Sequence, residues 1–115
     1  HHIDFPDYTD DELMKIANLF LLKQNYCFSK NAIKAFENYI QLRRKLPFFS
    51  NARSIRNAID RTRLRQANRL FSQMSEHVSK EDLMTIRASD IKESRVFSGK
   101  LERQDGFVTD EGNSE

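Results

Sequence analysis

Asn51-Ala52-Arg53-Ser54-Ile55-Arg56-Asn57-Ala58-Ile59-Asp60-Arg61-Thr62-Arg63-Leu64-Arg65-Gln66-Ala67-Asn68-Arg69-Leu70-Phe71 holds neither glycine nor proline. Ala52, Ile55, Ala58, Ile59, Thr62, Gln66 and Leu70 fall on one side of a helix, since positions three and four apart share a face. Arg53, Arg56, Asn57 and Asp60 fall on the other side. The spacing predicts a helix from Asn51, whose side chain suits an N-cap, to about Gln73. A helix polarised in this way must lay its apolar stripe against other helices.

Working back from Asn51, Pro47 should end the preceding helix before Leu46, because the residue before a proline avoids helical backbone. That helix starts after Ser29, an N-cap residue, and carries Ala32, Ala35, Phe36, Tyr39 and Ile40 as its stripe. Phe48 and Phe49 sit in the connection and are expected to plug the junction of the two helices. Further back, Thr9 with Glu12 forms a capping box, and Asp10 and Asp11 suit the positive end of the helix dipole. Leu13, Ile16, Ala17 and Phe20 follow at helical spacing, widened by Met14, Leu19, Leu21 and Leu22. This helix is expected to end near 23–25.

Beyond the long helix a break is expected over 75–78. Ser79 with Asp82 signals a new helix start, with Leu83 and Ile86 on a short helix. A turn or helix over 88–94 follows, anchored by Ile91, Val96 and Phe97. The expected fold class is all-α: a small helical bundle of about four helices plus a mobile tail. Residues 1–8 are assigned to a linker, 9–98 to the helical unit and 99–115 to the tail. The tail is polar, punctuated by Gly99, Gly106 and Gly112.

The chain has 115 residues, enough for one small core. Three glycines and two prolines are too few for the many turns of a sandwich or barrel. No apolar run approaches the roughly 20 residues that span a bilayer, and no signal-peptide pattern opens the chain. The start within Ile3-Asp4-Phe5-Pro6 suggests a piece of something longer. Cys27 is the single cysteine, so no disulfide framework or zinc knuckle is available. It is expected to be a buried or half-buried thiol. No Gly-x-x-x-x-Gly-Lys-Ser/Thr loop occurs, and His77 and the His1-His2 pair lack metal-ligand spacing. Neither a catalytic residue nor a metal site is assigned.

Net charge is +2, but the charge is segregated: both ends are acidic and the region from Arg43 to Arg69 is basic. Three roles fit the basic helix. It can be a solvated face. It can follow the phosphates of a nucleic acid, although Arg61, Arg63, Arg65 and Arg69 are expected to point in several directions and no aromatic stacking residues stand beside them. Or Arg53, in the first turn, can reach an anion that also meets the free backbone N–H groups of a helix start.

The string from Asn51 to Arg61 resembles the sensor-2 helix of AAA+ lid subdomains. Its continuation, Arg63-Leu64-Arg65-Gln66-Ala67-Asn68-Arg69-Leu70-Phe71, resembles specifically the CbbX/CfxQ branch, the red-type Rubisco activases. Ile3-Asp4-Phe5-Pro6-Asp7-Tyr8-Thr9 resembles that family's linker between subdomains, and Ser94-Arg95-Val96-Phe97-Ser98-Gly99 its C-terminal end. Many AAA+ lids carry Gly-x-Arg where this chain has Asn51-Ala52-Arg53. The resemblance implies a C-terminal lid subdomain of a hexameric ATPase that releases sugar phosphates from inhibited Rubisco. It implies ATP as cofactor, with Mg²⁺ held by the large subdomain of the same chain, and ribulose bisphosphate as an allosteric ligand. Arg53 would be the sensor, Arg56 could share the role, and Ala52 and Ile16 would line the adenine. The same resemblance implies a plastid stroma of the red lineage or a bacterial cytoplasm, no nucleic acid and no membrane. A piece of this kind would not hydrolyse ATP alone. The alternatives are a helical nucleic-acid-binding module and the lid of a related AAA+ chaperone with another client.

Overall fold

The structure, a computed structural model, describes residues 8–73 and 77–102. Helix α1 spans Asp10–Leu22, α2 Lys30–Arg44, α3 Asn51–Ser72, α4 Lys80–Met84 and α5 Ala88–Lys92. A 3₁₀ turn follows at Arg95–Ser98. The all-helical expectation therefore holds.

Local chemistry sets most of the helix starts. The Thr9 hydroxyl accepts the Glu12 N–H at 3.1 Å, while Glu12 Oε1 accepts the Thr9 N–H at 2.8 Å. Ser79 and Asp82 repeat the reciprocal pair at 3.1 and 3.0 Å. Ser29 Oγ accepts the Ala32 N–H at 3.2 Å. Each such cap contributes about 1 kcal/mol.

One start departs from expectation. The cap position of α3 belongs to Ser50, and no side chain closes it. Asn51 lies inside the helix with φ 44°, and its Oδ1 accepts the Tyr8 N–H at 3.3 Å. Its side chain thus ties the residues before α1 to the start of α3 instead of capping its own helix.

The core is built from one stripe of each long helix. Leu13, Ala17 and Leu21 of α1 meet Ile55, Ala58 and Ile59 of α3, and Ala32, Ala35, Phe36, Tyr39 and Ile40 of α2 close the third side. α1 packs on α3, while α2 packs on α5 and on the 3₁₀ turn. Ile86, Ile91 and Val96 complete the core. The Phe36 ring lies 5.3 Å from Phe28 and 5.2 Å from Tyr39, within the range where aromatic pairs add to area burial.

A minimal parallel pair escaped the periodicity: β1, Cys27–Phe28, runs beside β2, Thr85–Ile86. It joins the α1–α2 connection to the α4–α5 connection, and the Ser29 N–H extends it to the Ile86 carbonyl at 2.9 Å. Ile86 is therefore a strand residue, and α4 ends at Met84. Gln66, fully buried on α3, donates its Nε2 to the carbonyls of Asp82, Leu83 and Thr85 at 3.1–3.2 Å. A polar residue on the apolar stripe thus satisfies the carbonyls that α4 leaves open at its C-terminus.

Three further expectations need correcting. Cys27 is exposed, because the two-residue strand turns it outward. Phe49 packs against the core as expected, but Phe48 is 59% exposed. Ordered packing continues past Ser98 to Glu102, which is buried. The rest of the expected tail lies outside the described residues, as do the first two residues of the expected break.

Candidate functional site

α3 carries six arginines and one aspartate, and the structure divides the arginines into two groups. Arg61, Arg65 and Arg69 stand four residues apart and form a single row on the helix. Arg61 Nε and Arg65 Nη2 reach the two oxygens of Glu102 at 3.3 and 2.5 Å. Ser94 Oγ donates to the same carboxylate at 2.6 Å. Arg69 grips Asp90 with Nε and Nη2 at 2.8 and 2.9 Å, the forked geometry that suits a carboxylate. This contact holds the Arg69 proton more tightly than usual, burial working against it. Arg63 lies 4.9 Å over the Tyr26 ring.

These arginines serve the interior. Neither the solvated face nor the phosphate-tracking stripe describes them, and the expectation that they radiate in several directions fails for the row of three. The spacing of four was visible in the sequence. Their partners, Glu102 and Asp90, were not, since both lie more than 20 residues away.

The second group sits at the start of α3. The Arg53 side chain is exposed and makes no hydrogen bond or ion pair with any described residue. It stands two residues into a helix whose first N–H groups no side chain caps. Uncapped N–H groups and the positive end of the helix dipole favour an anion there. Arg56, one turn on, is exposed and lies 5.9 Å over the Phe20 ring of α1. Ala52 on α3 and Ile16 on α1 are half-buried. Because α1 packs on α3, all four candidate residues lie on this one pair of helices.

The path into α3 depends on a residue that the sequence did not single out. Arg43, in the last turn of α2, is fully buried. Its Nη1 donates to the carbonyls of Leu46 and Pro47 at 3.4 and 3.0 Å, and its Nη2 to that of Phe48 at 3.2 Å. The guanidinium groups of Arg43 and Arg44 lie 5.7 and 5.6 Å over the Phe49 ring. Arg44 also pairs with Asp10 at 2.8 Å, tying the end of α2 to the start of α1.

Among the described residues there is no group of three or more side chains suited to a metal ion. No described helix is long and apolar enough to cross a membrane.

Comparison with known proteins identifies the family of the chain. Residues 9–110 match the AAA lid domain family. A CfxQ homolog of Pyropia yezoensis is 54% identical over 98 residues, covering 85% of this chain and 33% of the relative. The protein CbbX of Cereibacter sphaeroides is 53% identical over 104 residues, covering 90% of this chain and 34% of the relative. A chloroplastic ribulose bisphosphate carboxylase/oxygenase activase of Cyanidioschyzon merolae is 50% identical over 97 residues, covering 84% and 33%. The chain spans about a third of the length of these relatives. An all-helical unit with a polarised arginine helix, matched over nearly its full length, belongs to the AAA lid domain family and is similar to the lids of CbbX and CfxQ proteins.

Proposed function

We propose that this chain is the nucleotide-responsive lid of an AAA+ ATPase, and that Arg53 contacts a nucleotide phosphate. One observation carries the proposal. Arg61, Arg63, Arg65 and Arg69 are engaged within the domain, whereas Arg53 is exposed beside an uncapped helix start. An ATP γ-phosphate supplies a negative charge that is lost on hydrolysis. The Arg53 guanidinium and the first N–H groups of α3 fit such a charge, and both would favour a closed lid only while it is present. Ala52 and Ile16 offer apolar surface to the adenine. Mg²⁺ and the hydrolytic groups fall to the remainder of the longer protein.

The proposed client is Rubisco. One of them is named a Rubisco activase, which supports an ATPase that frees Rubisco from inhibitory sugar phosphates. In this proposal the full-length protein works as a homo-hexamer with ribulose bisphosphate as its allosteric ligand. Its compartment is a red-lineage plastid stroma or a bacterial cytoplasm, as the sources of the relatives suggest.

A charge-assisted hydrogen bond contributes roughly 1.5–3 kcal/mol, and exposure places Arg53 towards the lower end. Arg53→Ala in the full-length protein should therefore lower ATP turnover about tenfold while the helical circular dichroism signal stays unchanged. Arg56→Ala should have the smaller effect, because Arg56 already rests on Phe20. If only Arg56→Ala loses turnover, the sensor role passes to Arg56. Wild-type turnover in both variants would rule out phosphate sensing by this helix.

A further inference from the structure

Arg43 carries a polar device whose purpose stability alone does not explain. A buried guanidinium gives up its hydration before its contacts return anything, and an apolar side chain of similar volume would fill the same space. What Arg43 adds is geometry. Its planar fork holds the carbonyls of Leu46, Pro47 and Phe48 at once, at 3.0–3.4 Å. Few side chains can do this, since five N–H donors in a fixed plane belong to arginine alone.

The segment it holds does not follow an easy path. Phe48 has φ 67°, a region that bulky residues adopt only under constraint. Phe48 is also 59% exposed, so burial of its ring does not offset the strain. Two residues later Ser50 sits at the cap position of α3, with φ −126° and ψ 47°. The Ser50 N–H donates to Ser54 Oγ at 2.8 Å, and Asn51 enters the helix with φ 44°. The strained turn therefore runs directly into the uncapped N–H groups and Arg53.

We propose that Arg43 is a positioning residue for the nucleotide sensor: by gripping three successive carbonyls of the α2–α3 connection, it fixes the place and direction of the first turn of α3, and so of Arg53. This rests on the proposed role of Arg53. Arg43 does not touch the nucleotide. It acts through the backbone, at the one connection that separates the buried end of α2 from the exposed sensor.

The test is a double-substitution cycle in the full-length ATPase, with KM for ATP and kcat measured for Arg43→Met, Arg53→Ala and the pair. Arg43→Met keeps the apolar volume and removes the fork. It should raise KM or lower kcat about tenfold, and the pair should be no worse than Arg53→Ala alone, because a displaced sensor and a missing sensor fail alike. Arg43→Lys keeps the charge without the fork and should fall between wild type and Arg43→Met. A purely structural brace would lower the melting temperature but leave both kinetic constants of the folded protein at wild-type values, and that overturns the proposal. So does a paired loss equal to the product of the single losses. If Arg43→Met does not fold, the same cycle is run with Arg43→Lys, under the same two criteria. An Arg53→Ala variant with normal kinetics removes the sensor role itself, and Arg43's role falls with it. Loss in Arg53→Ala without loss in Arg43→Met removes only the positioning role.

Discussion

Ile55→Asp should abolish cooperative folding of this domain at 25 °C. Ile55 is fully buried on α3, in the cluster that joins α1, α2 and α3. Truncating a buried isoleucine alone costs about 2–5 kcal/mol. A carboxylate placed there adds the desolvation of a charge with no partner, several kcal/mol more unless it takes up a proton. A domain of this size has roughly 5–10 kcal/mol of stability in total. The two losses together reach or exceed it. Far-UV circular dichroism of the chain should show lost helicity and no sigmoidal melt. Ile55→Val, which removes one methyl group, should cost about 1 kcal/mol and keep the transition. A cooperative melt within a few degrees of wild type in Ile55→Asp would show that the apolar face of α3 had been assigned wrongly.

That face was legible because helical periodicity is a local signal. Ile55, Ala58, Ile59, Thr62, Gln66 and Leu70 are all buried, and Arg53, Arg56 and Asp60 are exposed. The starts at Thr9, Ser29 and Ser79 were legible for the same reason: each cap closes within three residues. The misses share a different cause. Asn51 was expected to cap its own helix, but its side chain answers a backbone group 43 residues away. The two-residue strands are too short to show any alternation, and each exists only through the other. Glu102 was grouped with the acidic tail by composition. Its place is decided by Arg61 and Arg65, some forty residues back.

The candidate site divides in the same way. Arg53 and Arg56 were singled out through the polarity of one helix and a family resemblance. Arg43 was not found, because in sequence it is one member of the basic run Arg43-Arg44-Lys45. Nothing in such a run says that its first residue turns inward and the others do not. The inward turn follows from the position of Arg43 one turn after Tyr39 and Ile40 on the buried side of α2. A helical wheel drawn through Ala32, Ala35, Phe36, Tyr39 and Arg43 would have raised the question, since those spacings keep to one face.

Glu102 ties the end of the described chain to α3, and its removal should have the second largest effect on stability. The carboxylate is 3% exposed and receives Arg61, Arg65 and Ser94. Breaking a buried ion pair by removing one partner costs about 3–5 kcal/mol. Arg61 and Arg65 retain side-chain exposures of 26% and 17%, so water can partly replace the lost acid, and about 2–4 kcal/mol is the better expectation for Glu102→Ala. For a domain of this size that lowers the melting temperature by roughly 10–20 °C. Glu102→Gln keeps the shape and should fall between. The charge also fixes the sign of the pH dependence. Burial pushes the Glu102 carboxyl up, but the Ser94 hydroxyl, Arg65 and Arg61 together outweigh it and hold the group below the ordinary carboxylate range. A depressed acid stabilises the fold fully above its unfolded pKa, about 4.3, and loses that contribution as pH falls through the lower folded value. The gap in melting temperature between wild type and Glu102→Gln should thus be full at pH 7 and narrow steadily below about pH 4. Equal melting temperatures at pH 7 would show that Glu102 only rests on the arginines. A gap that stays constant into acid would mean that the glutamate contributes by packing and not by charge.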